Sequence, residues 1–265
     1  MTGTAADPFR RVEHIMGLPI SLDLRDGTPQ LREAAQRAFD WLREVDRRFS
    51  PFRDGSEVRL LGRGELAPAR VSPELAEILR LCAHYQGNSD GAFRAWLPGR
   101  FFDPCGVVKG WAVQRAGQLL RDAGARRFCL NAGGDVLMAG ESEPGRGWRV
   151  GIRHPSDPHQ LCAVLSVRDC AVATSGTYER GGHIIDGRTG RSVRDLLSLT
   201  VIAPDLTTAD ATSTAAFAMG PDGIAWADAQ PDCLVFAVDS RQRVHRSAEL
   251  STMLVPTTAA NRRSG

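Results

Sequence analysis

The chain of 265 residues lacks any apolar run near the roughly 20 residues that a membrane-spanning helix needs. It also lacks a charge imbalance. Its 33 basic and 31 acidic residues leave a net +2, too little to mark a nucleic-acid or membrane-surface binder. The opening MTGTAADPFRRVEH has no basic segment followed by an apolar one, so no secretory leader is expected and a cytoplasmic location is. No C-x-x-C pair occurs among Cys82, Cys105, Cys129, Cys162, Cys170 and Cys233. Several lie in apolar runs, which predicts reduced thiols inside a cytoplasmic protein. Internal repeats and linker-like stretches are missing, and so is the G-x-x-x-x-G-K-[ST] spacing of a P-loop.

What is present is enough chain for one large domain with its own core. Residues 12–24 alternate loosely like one strand. Thr28-Pro29 and Ser72-Pro73 each pair a capping hydroxyl with a proline at a helix start, predicting helices that reach about Phe49 and Gln86. Residues 50–64 read as loop and residues 87–104 as irregular. A third helix is expected over 107–124. Short β-rich runs follow at 128–131, 135–139, 148–153, 163–167, 171–174 and 199–203, then a helix over 207–219 and a buried strand over 233–239. The tail from residue 256 reads as disordered. Strands crowd the second half without regular alternation with helices, which predicts an α+β fold, one domain over residues 8–255.

Four patterns carry chemistry. Asp103-Pro-Cys-Gly-Val-Val-Lys109-Gly110 leads from a loop into a helix, where backbone N–H groups and a lysine in the first turn suit an anion. An ordinary exposed lysine reads equally well there. Asn131-Ala-Gly-Gly-Asp135 ends a strand in a glycine pair, either a close approach to a ligand or a hairpin turn. Thr174-Ser-Gly-Thr-Tyr178, with His183 beyond it, offers hydroxyl donors to phosphate and one histidine, a base or a structural residue. Asp210 and Thr214 lie i and i+4 on a helix and offer two hard oxygens to Mg²⁺. The alternative is that Thr207 caps the helix and Asp210 fills a capping position.

Taken together and in this order, DPxGxVKGWAV, NAGGD, ATSGTYER, HIIDxRTG and SLTVIAP with a DAxxT helix resemble the ApbE family of FAD:protein FMN transferases. The short actinobacterial type is the nearest match, and the resemblance spans about residues 12–240. It implies an ApbE-like (T-fold-like) domain of two intimately joined lobes. It implies that Met16, Phe52, Asp103, Lys109, Thr174, Ser175 and Ile185 bind the nucleotide, Phe52 by stacking where relatives often place tyrosine. It implies Mg²⁺ held by the Gly106 carbonyl, Asp210 and Thr214, with His183 and Lys109 as catalytic groups.

Two positions depart from the family pattern. Gly187 replaces a proline in Asp-Pro-Arg-Thr-Gly, which predicts a looser turn, and Gln114 stands where an acidic residue is common. The implied activity cleaves FAD, attaches FMN by a phosphoester to a Thr or Ser of an acceptor protein bearing a flavinylation motif, and releases AMP. No nucleic acid or membrane is expected as partner. An FAD pyrophosphatase and a non-catalytic flavin-binding protein are the alternatives. An intact Asp210–Thr214 pair argues against the latter.

Overall fold

Period-two alternation sorts the strand residues onto two faces of one sheet, and both faces are covered. The computed structural model describes residues 7–96, 102–177 and 184–256. Its main sheet has eight antiparallel strands: β1 (Phe9–Ile15), β2 (Leu18–Leu24), β3 (Phe128–Ala132), β4 (Asp135–Ala139), β7 (Ala171–Gly176), β10 (Leu196–Ala203), β11 (Leu234–Asp239) and β12 (Val244–Arg246), in that spatial order. Leu130, Leu137, Ala173, Leu199, Val201 and Ala237 point to one face, where the larger core lies. Val136, Met138, Val172, Ile202, Phe236 and Val238 point to the other. Central strands buried on both sides read as continuous apolar runs, as in Asp-Val-Leu-Met-Ala of β4.

Helices cover the first face: α1 (Pro29–Phe49), α3 (Pro73–Asn88), α4 (Cys105–Asp122) and α5 (Leu206–Met219). α1 and α3 begin as the sequence predicts, with Thr28 and Ser72 accepting from Leu31 N and Leu75 N. Trp111 of α4 is nearly fully buried against Trp41 and Phe49 of α1, and its Nε1 donates to Glu77 Oε1 at 3.0 Å. The second face carries the hairpin β5 (Trp148–Arg153) and β6 (Leu161–Val167), whose Trp148, Ile152 and Leu165 fill the smaller core. A two-residue pair, β8 (Ile185–Asp186) with β9 (Arg191–Ser192), stands apart.

Two local expectations are corrected, and one short helix is added. Residues 12–24 belong to a hairpin, not one strand. Met16 and Gly17 both take positive φ, 57° and 71°, and close a two-residue turn whose usual Asn-Gly signature is absent. Within 50–64, Ser56 caps a short helix, α2 (Glu57–Gly62), by accepting from Arg59 N. α6 (Asp222–Asp228) is too short to show a period in the sequence. All six cysteines are free, and burial pushes the Cys82 and Cys129 thiols up to about 12. No described helix is long and apolar enough to cross a membrane. The tail, residues 257–265, lies outside the described residues.

Candidate active site

Two helices cross where both carry small residues. On α4, Gly106 and Gly110 share one face, one turn apart; on α5, Asp210 and Thr214 do the same. The pairs meet antiparallel, Gly106 against Thr214 and Gly110 against Asp210. A β-carbon on Gly106 would lie 2.9 Å from Thr214 Cγ2 and 2.9 Å from the Phe93 ring. One on Gly110 would lie 2.5 Å from the Leu206 carbonyl oxygen and 2.7 Å from Asp210 Cβ. Glycine is therefore the only residue that admits this approach, and it lets Gly110 N–H donate to Asp210 Oδ2 at 2.8 Å. In a regular helix that N–H serves the carbonyl of residue i−4, which is Gly106. Asp210 competes for it.

The sheet supplies the floor. β4 and β7 pair only through Val136 with Val172 and Leu137 with Ala171, so β7 runs on beyond the start of β4. The carboxylate of Asp135 stands in for the missing strand and accepts from Thr174 N at 3.0 Å. Past that point β7 meets α5 through hydroxyls. Ser175 Oγ lies 3.1 Å from Ser213 Oγ and 3.4 Å from Thr214 Oγ1; toward β10, Thr174 Oγ1 lies 2.8 Å from Thr200 Oγ1.

Lys109 closes the group. Its Nζ lies 2.5 Å from Asp135 Oδ2 and 3.4 Å from Asp210 Oδ1. The side chain is 24% exposed, whereas those of Asp135 and Asp210 are 2% and 4% exposed. Two buried carboxylates thus share one ammonium. Burial pushes the Asp210 carboxyl above the usual carboxylate range; the Lys109 ammonium pulls against this, and the charge of Asp135 adds to it.

The alternative in which Thr207 caps α5 is overturned. The helix begins at Leu206 with Asp205 as its cap, whose Oδ1 accepts from Thr208 N at 2.9 Å. Asp210 is consequently an interior, inward-facing residue. Gln114 plays a structural part, because its Oε1 accepts from Leu206 N at 3.0 Å and ties α4 to the first turn of α5. Asp103 is exposed, and its Oδ1 accepts from Cys105 N at 3.0 Å at the start of α4.

A family model described as the ApbE family matches residues 16–98 and 97–236. The chain belongs to the ApbE family. The FAD:protein FMN transferase of Escherichia coli (strain K12) is 33% identical over 136 residues, 48% of this chain and 39% of that protein. That of Treponema pallidum (strain Nichols) is 35% identical over 195 residues, 63% of this chain and 53% of that protein. The matched regions thus span about half or less of the curated relatives' length. The crystal structure of the ApbE protein from Thermotoga maritima MSB8 superimposes with TM-score 0.82 at 22% identity, covering 94% of this chain and all of that one. The flavin transferase ApbE from Vibrio cholerae gives 0.80 at 20% identity with the same coverage. The fold is the α+β fold of ApbE.

Of the positions the ApbE resemblance singles out, Gly106, Lys109, Thr174, Ser175, Asp210 and Thr214 come together at this junction. The polar contacts of the junction do not include Met16, Phe52, Asp103 or Ile185. Met16 sits on the β1–β2 turn, at the same end of the sheet as Asp135, because Leu18 packs on the Gly133 turn and Gly133 N donates to Pro19 O. A methionine at φ 57° is a strained choice in such a turn. Phe52 stands on the loop between α1 and α2 with 73% of its surface exposed. Ile185 opens β8, half-buried. His183 lies outside the described residues.

Gly187 corrects the expectation of a loose turn. Its N–H donates to Ala92 O at 2.8 Å, and a β-carbon there would lie 2.5 Å from Gly91 O. Asp186 then holds the turn by accepting from Arg188 N and Nε, both at 2.9 Å. The hairpin reading of Asn131–Asp135 holds as well, with Gly133 and Gly134 both at positive φ between paired β3 and β4.

The sequence reading missed Asp135 as a site residue, although its motif was in view. An acidic residue opening an otherwise apolar, fully buried strand was the available signal. Ser213, between Thr212 and Thr214 on a mostly buried helix, gave none. Among the described residues no three His, Cys, Asp or Glu side chains gather as a metal cluster. A cleft of about 640 Å³ between Arg25, Trp148, Arg149 and Arg168 lies at the other end of the sheet and shares no residue with the junction.

Proposed function

We propose that this chain is a Mg²⁺-dependent FAD:protein FMN transferase that attaches FMN to a Thr or Ser of an acceptor protein in the cytoplasm and releases AMP. The observation that carries the reading is the buried group Lys109–Asp135–Asp210 at the α4–α5 crossing. One ammonium between two carboxylates leaves a net negative charge in a place where an uncompensated charge is costly, so the junction has room for a further cation. The oxygens available are hard ones: the Gly106 carbonyl, Asp210 and Thr214. Mg²⁺ takes few protein ligands and fills the rest of its octahedron with water and phosphate oxygens, which suits so sparse a set.

When bound, Mg²⁺ neutralises charge on the pyrophosphate oxygens. The chain's residues do the rest. Lys109 presents an ammonium beside the same phosphates, Thr174 and Ser175 offer hydroxyl donors, and Phe52 and Met16 receive the flavin nucleotide. His183 takes the proton of the acceptor hydroxyl as its oxygen bonds the FMN-side phosphorus. The bond from that phosphorus to the AMP oxygen breaks, and AMP leaves with the electron pair.

The test is incubation of the protein with FAD, Mg²⁺ and a candidate acceptor, followed by mass spectrometry of the acceptor and quantitation of AMP. An FMN adduct formed one-to-one with AMP supports the reading. Free FMN with AMP and no adduct means a pyrophosphatase. FAD bound but intact means a non-catalytic flavin binder.

A further inference from the structure

Lys109 is the single lysine of this chain; every other basic residue among the 33 is arginine. An arginine-using sequence that keeps one lysine, in a slot between two buried carboxylates, points to a requirement for a compact ammonium on a flexible stem. A guanidinium fork is planar and broad, and it cannot retreat along its own stem as an ammonium can.

The oxygens around that slot are already divided. On Asp135, Oδ1 accepts from Thr174 N at 3.0 Å and Oδ2 faces Lys109 at 2.5 Å. On Asp210, Oδ2 accepts from Gly110 N at 2.8 Å and Oδ1 faces Lys109 at 3.4 Å. Each carboxylate therefore has one oxygen fixed by a backbone N–H and the other turned to the ammonium. The oxygen of Asp210 left for a divalent ion is the one Lys109 now faces. Two cations a few ångströms apart repel strongly at a buried site, so they cannot share it.

Resting on the metal reading above, we propose that Lys109 is a placeholder cation: its ammonium stands between Asp135 and Asp210, and divalent-ion loading displaces it from Asp210 while Asp135 keeps it. The unequal distances set the direction of the move, since the closer contact is to Asp135. Asp135 is thus a positioning residue. It retains the ammonium near the site, where it can meet a phosphate, instead of letting it swing to solvent. Loading also reverses the local charge. Two carboxylates and one ammonium sum to −1, and adding a dication gives +1, so a pyrophosphate is attracted only after the metal has entered.

The lone lysine makes the test direct. Reductive methylation with ¹³C-formaldehyde keeps the positive charge and labels only Lys109 and the α-amino group, and a Lys109→Arg sample assigns the two signals. The labelled protein is titrated with MgCl₂ without FAD, and Mg²⁺ binding is measured in parallel by calorimetry. The expected result is a saturable shift of the Lys109 signal at the calorimetric midpoint, absent in Asp210→Asn. In unlabelled protein, Lys109→Gln should bind Mg²⁺ about tenfold more tightly, because its competitor is gone. Asp210-dependent Mg²⁺ binding with an unmoved Lys109 signal and unchanged affinity in Lys109→Gln overturns the placeholder and leaves the metal site standing. Absence of Asp210-dependent Mg²⁺ binding in the wild type overturns both.

Discussion

The backbone N–H of Gly110 donates to the Oδ2 of Asp210 at 2.8 Å, joining two helices whose residues are a hundred positions apart. That contact exists only because position 110 has no β-carbon. In Gly110→Ala the added methyl would meet the Leu206 carbonyl at 2.5 Å and Asp210 Cβ at 2.7 Å, neither of which can swing aside. The helices must part. Overpacking of this kind costs roughly 1–3 kcal/mol. Urea unfolding should show a lower midpoint at unchanged slope. A wild-type midpoint would mean that α4 and α5 leave room for a methyl group at their crossing.

Asp210→Asn should behave in the opposite way toward stability. It removes one charge and almost no volume, and it leaves Lys109 and Asp135 as a balanced pair. The fold should hold, with a melting temperature no lower than wild type. FMN transfer should be lost and with it any response to magnesium, as in the wild type with excess EDTA. Thr214→Ala should be milder, since a neutral hydroxyl contributes less than a carboxylate. Full transfer in EDTA, or normal magnesium dependence in Asp210→Asn, would remove the metal from the reaction.

Phe52→Ala separates binding from folding. The ring is 73% exposed, so its loss should change stability by no more than about 0.5 kcal/mol. If the flavin stacks on it, FAD affinity should fall by about 1–3 kcal/mol, while ADP affinity stays near wild type. Equal losses for both ligands would place the ring against the adenine or elsewhere.

Gly187→Pro introduces the proline of the Asp-Pro-Arg-Thr-Gly pattern that the resemblance implies, and here it should harm. It deletes the N–H that reaches Ala92 O and places ring atoms where even a β-carbon comes 2.5 Å from Gly91 O. Thermal unfolding should show a clear loss for Gly187→Pro and a smaller one for Gly187→Ala, which keeps the N–H. A proline variant as stable as wild type would mean that the 184–192 hairpin does not rest on residues 91–94.

Helices with strong caps and periods, such as α1 and α3, and most strands of the sheet are legible from the chain alone. Thr28-Pro29 and Ser72-Pro73 are local signals, complete within a few residues. The order of the motifs also determined the family, and the i, i+4 spacing put Asp210 and Thr214 on one face without any partner in view. What faces them depends on the packing of distant segments. Gly106 and Gly110 bracket the passage from loop to helix in the sequence, and their need appears only when α5 arrives a hundred residues later. Asp135 reads as a turn residue until β4 proves too short to pair with Thr174, and its carboxylate takes the strand's place. Gly187 reads as a loosened proline position until Ala92 stands opposite its N–H. In each case the decisive contact joins segments far apart in the chain, and no spacing within one segment encodes which distant backbone atom will come within 3 Å.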